Sequence, residues 1–320
     1  YTNLNTLSLH DALPICITYG VHDLAESARF FQDFGLVAGR ADDQGVDYLL
    51  PDESSVCLRL ADDPSLPPRF EEGPGVRQVT WAVDTMESLQ ALEAAVGTDR
   101  TVTRLGASAI SFQDDAGVPV VLEVATPQPV HSPVEQVNAP GRIERWNRNR
   151  PWYDKASPKV MQHVVFAHPD VRKAAAFYVN RLGFRISDIQ DGAGYFLRAD
   201  GRNEHHNIFW QPGKSLAFRH VAFGLESLDE VMAGANRMVR SGWRSALGLG
   251  RHRISSTFFY YFQCPAGGDA EFSTDTDYLD DNWVPRVWGR KFGHILGTAQ
   301  PRDADPEPEV RLSRPEERIL

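Results

Sequence analysis

Hydrophobic positions along the chain switch between two periods, and each switch marks an element. A short apolar run from Ile17 predicts a strand, and Ala25 to Phe34 carries its apolar residues at helical spacing before stopping at Gly35. Strands are predicted at Asp47 to Leu50 and Ser55 to Leu60, followed by a loop rich in Pro, Asp and Glu from Asp62 to Pro74. The pattern then repeats. Val76 to Val83 reads as a strand, Ser88 to Val96 as a helix, and Ala109 to Gln113 and Pro119 to Val124 as strands joined by a turn at Asp114 to Gly117. These are read as two successive β-α-β-β-β units, with two of the three closing strands of each marked by the pattern.

Residues 127–157 are rich in Pro, Asn and Arg, lack apolar periodicity and read as a linker. Beyond it the pattern recurs. Strands are predicted at Met161 to Phe166, Phe184 to Asp188, Ala193 to Ala199 and His206 to Trp210, with a helix at Val171 to Leu182. A fourth unit opens with a strand at Phe218 to Gly224 and a helix at Leu228 to Ser241. It closes on a hairpin within Arg251 to Asp275, RHRISSTFFYYFQCPAGGDAEFSTD. The halves overlay: Asp170 to Tyr178 (DVRKAAAFY) on Asp23 to Phe31 (DLAESARFF), Phe218 to Glu230 on Val76 to Ser88, and Glu271 on Glu123. A repeat this long implies duplicated domains. The expected fold is α+β, with tandem domains at 16–126 and 158–290 and a charged, Pro-rich, disordered tail at 291–320. Residues 1–15 are set aside, because TLSLHDALPI reads like a translated sequencing adaptor.

Composition narrows the function classes. A net charge of −10 over 320 residues gives no basic footprint for nucleic acid. No apolar run approaches the roughly 18–20 residues that cross a bilayer as a helix. Cys16, Cys57 and Cys264 are far apart and form no CxxC pair, which favours a reducing compartment, and a cytoplasmic location is expected.

Three polar residues interrupt otherwise apolar strands: His163 in MQHVVF, His220 in FRHVAF and Glu271 in DAEFST. A carboxylate on a strand facing a core needs a partner, because an isolated buried charge is very costly. A lone histidine in such a place is ordinarily structural. Two imidazoles and one carboxylate together make the facial set that leaves open positions on a non-haem Fe(II). Their counterparts in the first half, Cys16, Gln78 and Glu123, lack the imidazoles, so a catalytic metal is expected only in the second half.

The paired units and the set His163, His220 and Glu271 resemble the vicinal oxygen chelate superfamily, and within it the two-domain type I extradiol ring-cleavage dioxygenases. The likeness runs from residue 17 to about 290 and is most specific over 158–288. It implies cupped mixed sheets of paired modules, with Fe(II), or Mn(II), held by the three residues in the second domain. The family's His-His dipeptide is matched by His205-His206, its second-sphere His and Tyr by His252 in GRHR and Tyr261 in FFYYFQ, and its Pro-x-Gly turn by Pro265 to Gly268.

The resemblance implies that His206 faces the metal as an acid–base residue while His205 points away, and that His252 and Tyr261 hydrogen-bond the substrate oxygens. Pleating puts Phe259 on the same face as Tyr261, making it a candidate wall of the ring pocket, with Trp210 and Trp243 as further candidates. The implied activity is cleavage of a catecholic ring by dioxygen, in aromatic catabolism, by a homo-oligomeric enzyme without nucleic-acid or membrane partners. Three alternatives stay open: ring cleavage of a hydroquinone or trihydroxylated ring, a glyoxalase-type metal-dependent isomerase or lyase, and a non-enzymatic small-molecule-binding member.

Overall fold

The computed structural model describes residues 13–289, 295–297, 310–314 and 317. The first half runs β1 (Pro14–Val21), α1 (Leu24–Phe34), β2 (Val37–Ala41), β3 (Gly45–Leu49), β4 (Ser55–Leu60), β5 (Gly75–Val83), α2 (Met86–Val96), β6 (Thr103–Arg104), β7 (Ala109–Gln113) and β8 (Pro119–Val124). The second runs β9 (Val160–His168), α3 (Val171–Leu182), β10 (Arg185–Gln190), β11 (Gly194–Arg198), β12 (Ile208–Pro212), β13 (Ala217–Gly224), α4 (Leu228–Arg240), β14 (Ser245–His252), β15 (Phe258–Gln263) and β16 (Asp269–Thr274). Short strands β17 (Arg286–Trp288), β18 (Ile295–Gly297) and β19 (Val310–Leu312) complete it. No helix among the described residues is long and apolar enough to cross a membrane.

Each half forms one mixed sheet, in the order β2-β3-β4-β1-β5-β8-β7-β6 and β18-β14-β15-β16-β13-β9-β12-β11-β10-β17-β19. The helices begin where the chain supplies a cap. Asp23, Asp170 and Ser227 each accept a hydrogen bond from the amide three residues on, satisfying a donor the helix leaves free. Gly35 and Gly183 end α1 and α3 in the left-handed conformation.

The apolar faces of the helices join the halves into one continuous core. Phe34 of α1 stacks on Phe272 of β16 with ring centroids 3.9 Å apart, and Phe30 meets Trp243 at 5.0 Å. On the other side Trp81 packs edge-on against Phe184 at 5.2 Å. There the Tyr178 hydroxyl donates to the buried Asp114 carboxylate at 3.0 Å.

Several expectations are corrected. β1 begins at Pro14, and the Ala82 amide bonds the Leu13 carbonyl, so residues 13–15 join the sheet; residues 1–12 lie outside the described residues. β2 has no alternation to detect, because all five of its residues are exposed. Part of the segment expected to be disordered is ordered by pairing: β18 on β14 and β19 on β17. Beyond these strands and positions 313, 314 and 317, the expected tail lies outside the described residues.

The counterpart of Glu271 also changes. Gln263 pairs with Asp269 and Gln113 with Pro119 across turns of equal length, so the two hairpins align with Glu271 on Val121, two residues before Glu123. Similarity in the letters LEV and AEF obscured that register. Glu123 itself is exposed.

Asp114 yields a pH prediction. Burial raises its carboxyl from the ordinary 3.8 to about 6, against the pull of the Val118, Tyr178, Ala116 and Gly117 donors. A raised carboxyl binds its proton more tightly folded than unfolded, so its contribution to stability is complete below 3.8 and lost as pH rises through about 6. Denaturant titrations of wild type and Asp114→Asn across that window are expected to diverge by up to about 3 kcal/mol in favour of wild type as pH falls. A pH-independent difference contradicts the assignment.

Candidate metal centre

Strand register builds the site. His163 on β9 pairs with Ala222 on β13, Ala222 with Glu271 on β16, and Glu271 with Tyr261 on β15. Paired residues share a face of the pleat, so these four form one row across four neighbouring strands. His220, two residues before Ala222, joins the same face. Ala222 contributes only a methyl at the centre of the row, which leaves room between the larger side chains. A register irregularity between Phe218 and His220 is the kind of bulge that re-aims a side chain beside a site.

The β15–β16 turn fixes that register. Gly268 has φ +64°, and a Cβ there would lie 2.6 Å from the Phe218 ring and 2.8 Å from the Arg219 carbonyl. Only glycine lets the turn close against the strand that carries His220.

The three side chains converge. Glu271 Oε2 is 3.3 Å from His163 Nε2 and 3.2 Å from His220 Nε2, and the two imidazole nitrogens are 3.4 Å apart. Three donors on one octahedral face, each about 2.0–2.2 Å from an ion, stand about 3 Å apart. Glu271 is fully buried, and neither of its oxygens has a directed hydrogen bond. Burial pushes this carboxyl up, but the two imidazoles outweigh it and hold it well below the usual range. Burial also lowers His163, which keeps its ring neutral. An ionised carboxylate without a directed hydrogen bond, facing two imidazole nitrogens, is a fit for a divalent cation, and the mixed N/O set suits a first-row transition metal.

His163 and His220 of the triad line a cavity of about 560 Å³, which His206, His252 and Tyr261 also line. The His206 and His163 rings are 4.2 Å apart. His252 Nε2 and the Tyr261 hydroxyl are hydrogen-bonded to each other at 3.0 Å. Burial and then the Glu271 charge raise the Tyr261 hydroxyl well above its ordinary 10. Burial, reinforced by His163, drops His206 well below 6.5.

The wall differs from expectation. Phe259 is buried behind His252, with ring centroids 4.2 Å apart, and does not line the cavity. Trp210 stacks on Phe166 and Trp243 packs on Phe30, both in the core. Phe196, Phe209 and Phe218 line the cavity instead, and the first two stack 4.0 Å apart. They come from strands whose registers the sequence alone does not fix. His206 precedes β12 rather than opening it. Sequence reasoning also missed Asp188, buried on β10 behind the His-His pair; an acidic residue in an apolar strand (RISDIQ) was the available signal.

Comparison with known proteins agrees with this architecture. The model for the glyoxalase/bleomycin resistance protein/dioxygenase superfamily matches residues 160–272. Metapyrocatechase 2 of Cupriavidus necator is 30% identical over 268 residues, covering 81% of this chain and 79% of that protein. The iron-dependent extradiol dioxygenase of Rhodococcus jostii (strain RHA1) is 28% identical over 150 residues, covering 41% of this chain and 50% of that protein. In fold, the Mn(II)-bound glyoxalase of Novosphingobium aromaticivorans superposes with a TM-score of 0.70 at 23% identity, over 92% of this chain and 95% of that one. The chain belongs to the glyoxalase/bleomycin resistance protein/dioxygenase superfamily.

Metal binding is directly measurable. Thermal melts with added Mn(II) are expected to rise with concentration in wild type, by the equivalent of about 2.7 kcal/mol at a hundred times Kd. Glu271→Gln and His220→Ala are each expected to abolish the rise. An unchanged rise in both variants would place the ion elsewhere.

Proposed function

We propose that the protein is an extradiol dioxygenase that opens a catecholic ring with dioxygen, using Fe(II), or alternatively Mn(II), held by His163, His220 and Glu271. The observation that carries this reading is the Glu271 carboxylate, fully buried without a hydrogen-bond partner beside two imidazole nitrogens. The two imidazoles line an aromatic-walled cavity of a size common for small-molecule sites. Relatives named metapyrocatechase and iron-dependent extradiol dioxygenase support it.

When bound, the ion supplies a common site for catecholate and dioxygen and a path for electrons between them. The remaining work falls to the chain. Tyr261 stays a neutral phenol and offers a hydroxyl to a substrate oxygen, while its bond to His252 fixes its direction. His206 faces the cavity as a neutral imidazole, able to take a proton from a substrate hydroxyl and return it to an oxygen as the ring opens. Phe196, Phe209 and Phe218 hold the ring and keep water from it.

Dioxygen uptake by protein loaded anaerobically with Fe(II), across a panel of substituted catechols, tests this. Uptake in step with a yellow ring-opened product is expected, and His220→Ala should lose both. Folded, metal-loaded protein that consumes no dioxygen with any catechol overturns the reading in favour of a non-oxidative member of the superfamily.

A further inference from the structure

Behind His206 lies a chain of polar groups that the ring-cleavage reading does not use. His205 Nδ1 is 3.1 Å from His206 Nδ1, and His205 Nε2 is 3.3 Å from Asp188 Oδ2. Asp188 also accepts the Trp288 indole N–H at Oδ2, 2.9 Å, and the Arg286 amide at Oδ1, 2.8 Å. Asp188 and His205 are each 1% exposed. Asp188, His205 and His206 thus form a buried line ending at the cavity, and Trp288 and Arg286 on β17 anchor its far end from outside the matched residues 160–272.

We propose that Asp188 and His205 are positioning residues that set the tautomer of His206, so that its Nε2 meets the cavity as a bare hydrogen-bond acceptor. The assignment follows from counting donors and acceptors. Both Asp188 oxygens face N–H groups, as an ionised, acceptor-only carboxylate requires. His205 therefore carries its proton on Nε2. A neutral His205 then has a bare Nδ1, which accepts from Nδ1–H of His206. A neutral His206 is left with a lone pair on Nε2. Under the function proposed above, on which this consequence rests, that lone pair meets the hydroxyl hydrogen of an incoming substrate. A metal-coordinating His is commonly oriented by a carboxylate behind it; here the same device serves a histidine that stands beside the triad.

The first test does not depend on activity. Long-range proton–nitrogen correlation spectra of metal-free, nitrogen-15-labelled protein report which ring nitrogen of each neutral histidine holds the proton. The expected result for His206 is protonated Nδ1 and bare Nε2. Asp188→Leu removes the acceptor that holds the His205 proton on Nε2. His206 is then expected to lose its single tautomer and to show protonated Nδ1 and protonated Nε2 forms together. A wild-type spectrum with protonated Nε2, or a variant spectrum in which His206 keeps protonated Nδ1 alone, overturns the proposal. The wild-type spectrum decides even if the variant fails to fold.

The second test is kinetic. Asp188→Leu is expected to lower kcat on the order of 10–100-fold, the scale of an outer-shell partner, with KM and Mn(II)-dependent melting unchanged. An unaltered kcat removes the catalytic consequence. The tautomer result with no dioxygen uptake from any catechol would instead leave the relay standing and remove the ring-cleavage reading.

Discussion

A carboxylate taken out of water without hydrogen-bond donors is the constraint on which this structure turns. Glu271 has zero exposure and no directed partner for either oxygen. Left alone, such a charge would cost several kcal/mol or take up a proton. Two imidazole nitrogens within 3.3 Å stabilise its ionised form while they carry protons, and once those protons leave, their lone pairs and its charge together make a site for a cation. Hydrophobic burial of β16 and the chemistry of the site are therefore coupled: the same strand that packs Phe272 against Phe34 holds Glu271 beneath the two imidazoles that line the cavity.

Around that carboxylate the sheet works as a ruler. Neighbouring strands lie about 4.8 Å apart, so a row through His163, Ala222, Glu271 and Tyr261 spaces the functional groups by strand order instead of by loops. The arrangement tolerates no slip, since moving one strand by one residue would turn its side chain to the opposite face. Gly268 against the Phe218 ring and the irregularity before His220 hold the two central strands in place. Loops and late strands contribute the polar surroundings: His206 ahead of β12, His252 at the end of β14, and Trp288 on β17. A rigid sheet fixes the ligands, and peripheral segments tune what surrounds them.

What the sequence made legible follows from period and spacing. His163, His220 and Glu271 each break an apolar strand, and that contrast survives without coordinates. Helix limits were readable because Asp170 and Gly183 are themselves capping signals. Cross-strand facts were not. Phe259 shares a pleat face with Tyr261, yet the His252 ring lies over it and removes it from the cavity. Phe196 and Phe209 line the wall only because β11 and β12 pair in the register they do. Asp188 is too far along the chain from His205 for spacing to reveal their contact. The alignment of Glu271 with Glu123 failed for a related reason: like residues were matched by letter, whereas equal turn lengths place Val121 there.

That correction explains why duplicated halves diverge in chemistry. Position for position, the first hairpin has Val121 where the second has Glu271, and Asp114 where the second has Cys264. Each hairpin thus buries one carboxylate, at different places and with opposite company. Asp114 accepts from the Ala116 and Val118 amides and from the Tyr178 hydroxyl, so its hydrogen-bonding capacity is met by the turn and by the facing half. It acts as a staple. Glu271 has no such donors, and its neighbours are two rings whose nitrogen lone pairs need a cation as much as it does. With Gln78 and Val121 at the places of His220 and Glu271, the first sheet has neither the charge nor the imidazole. Divergence between the halves therefore required no change of fold, only a choice of which buried carboxylate is left without hydrogen-bond donors and whether imidazoles stand beside it.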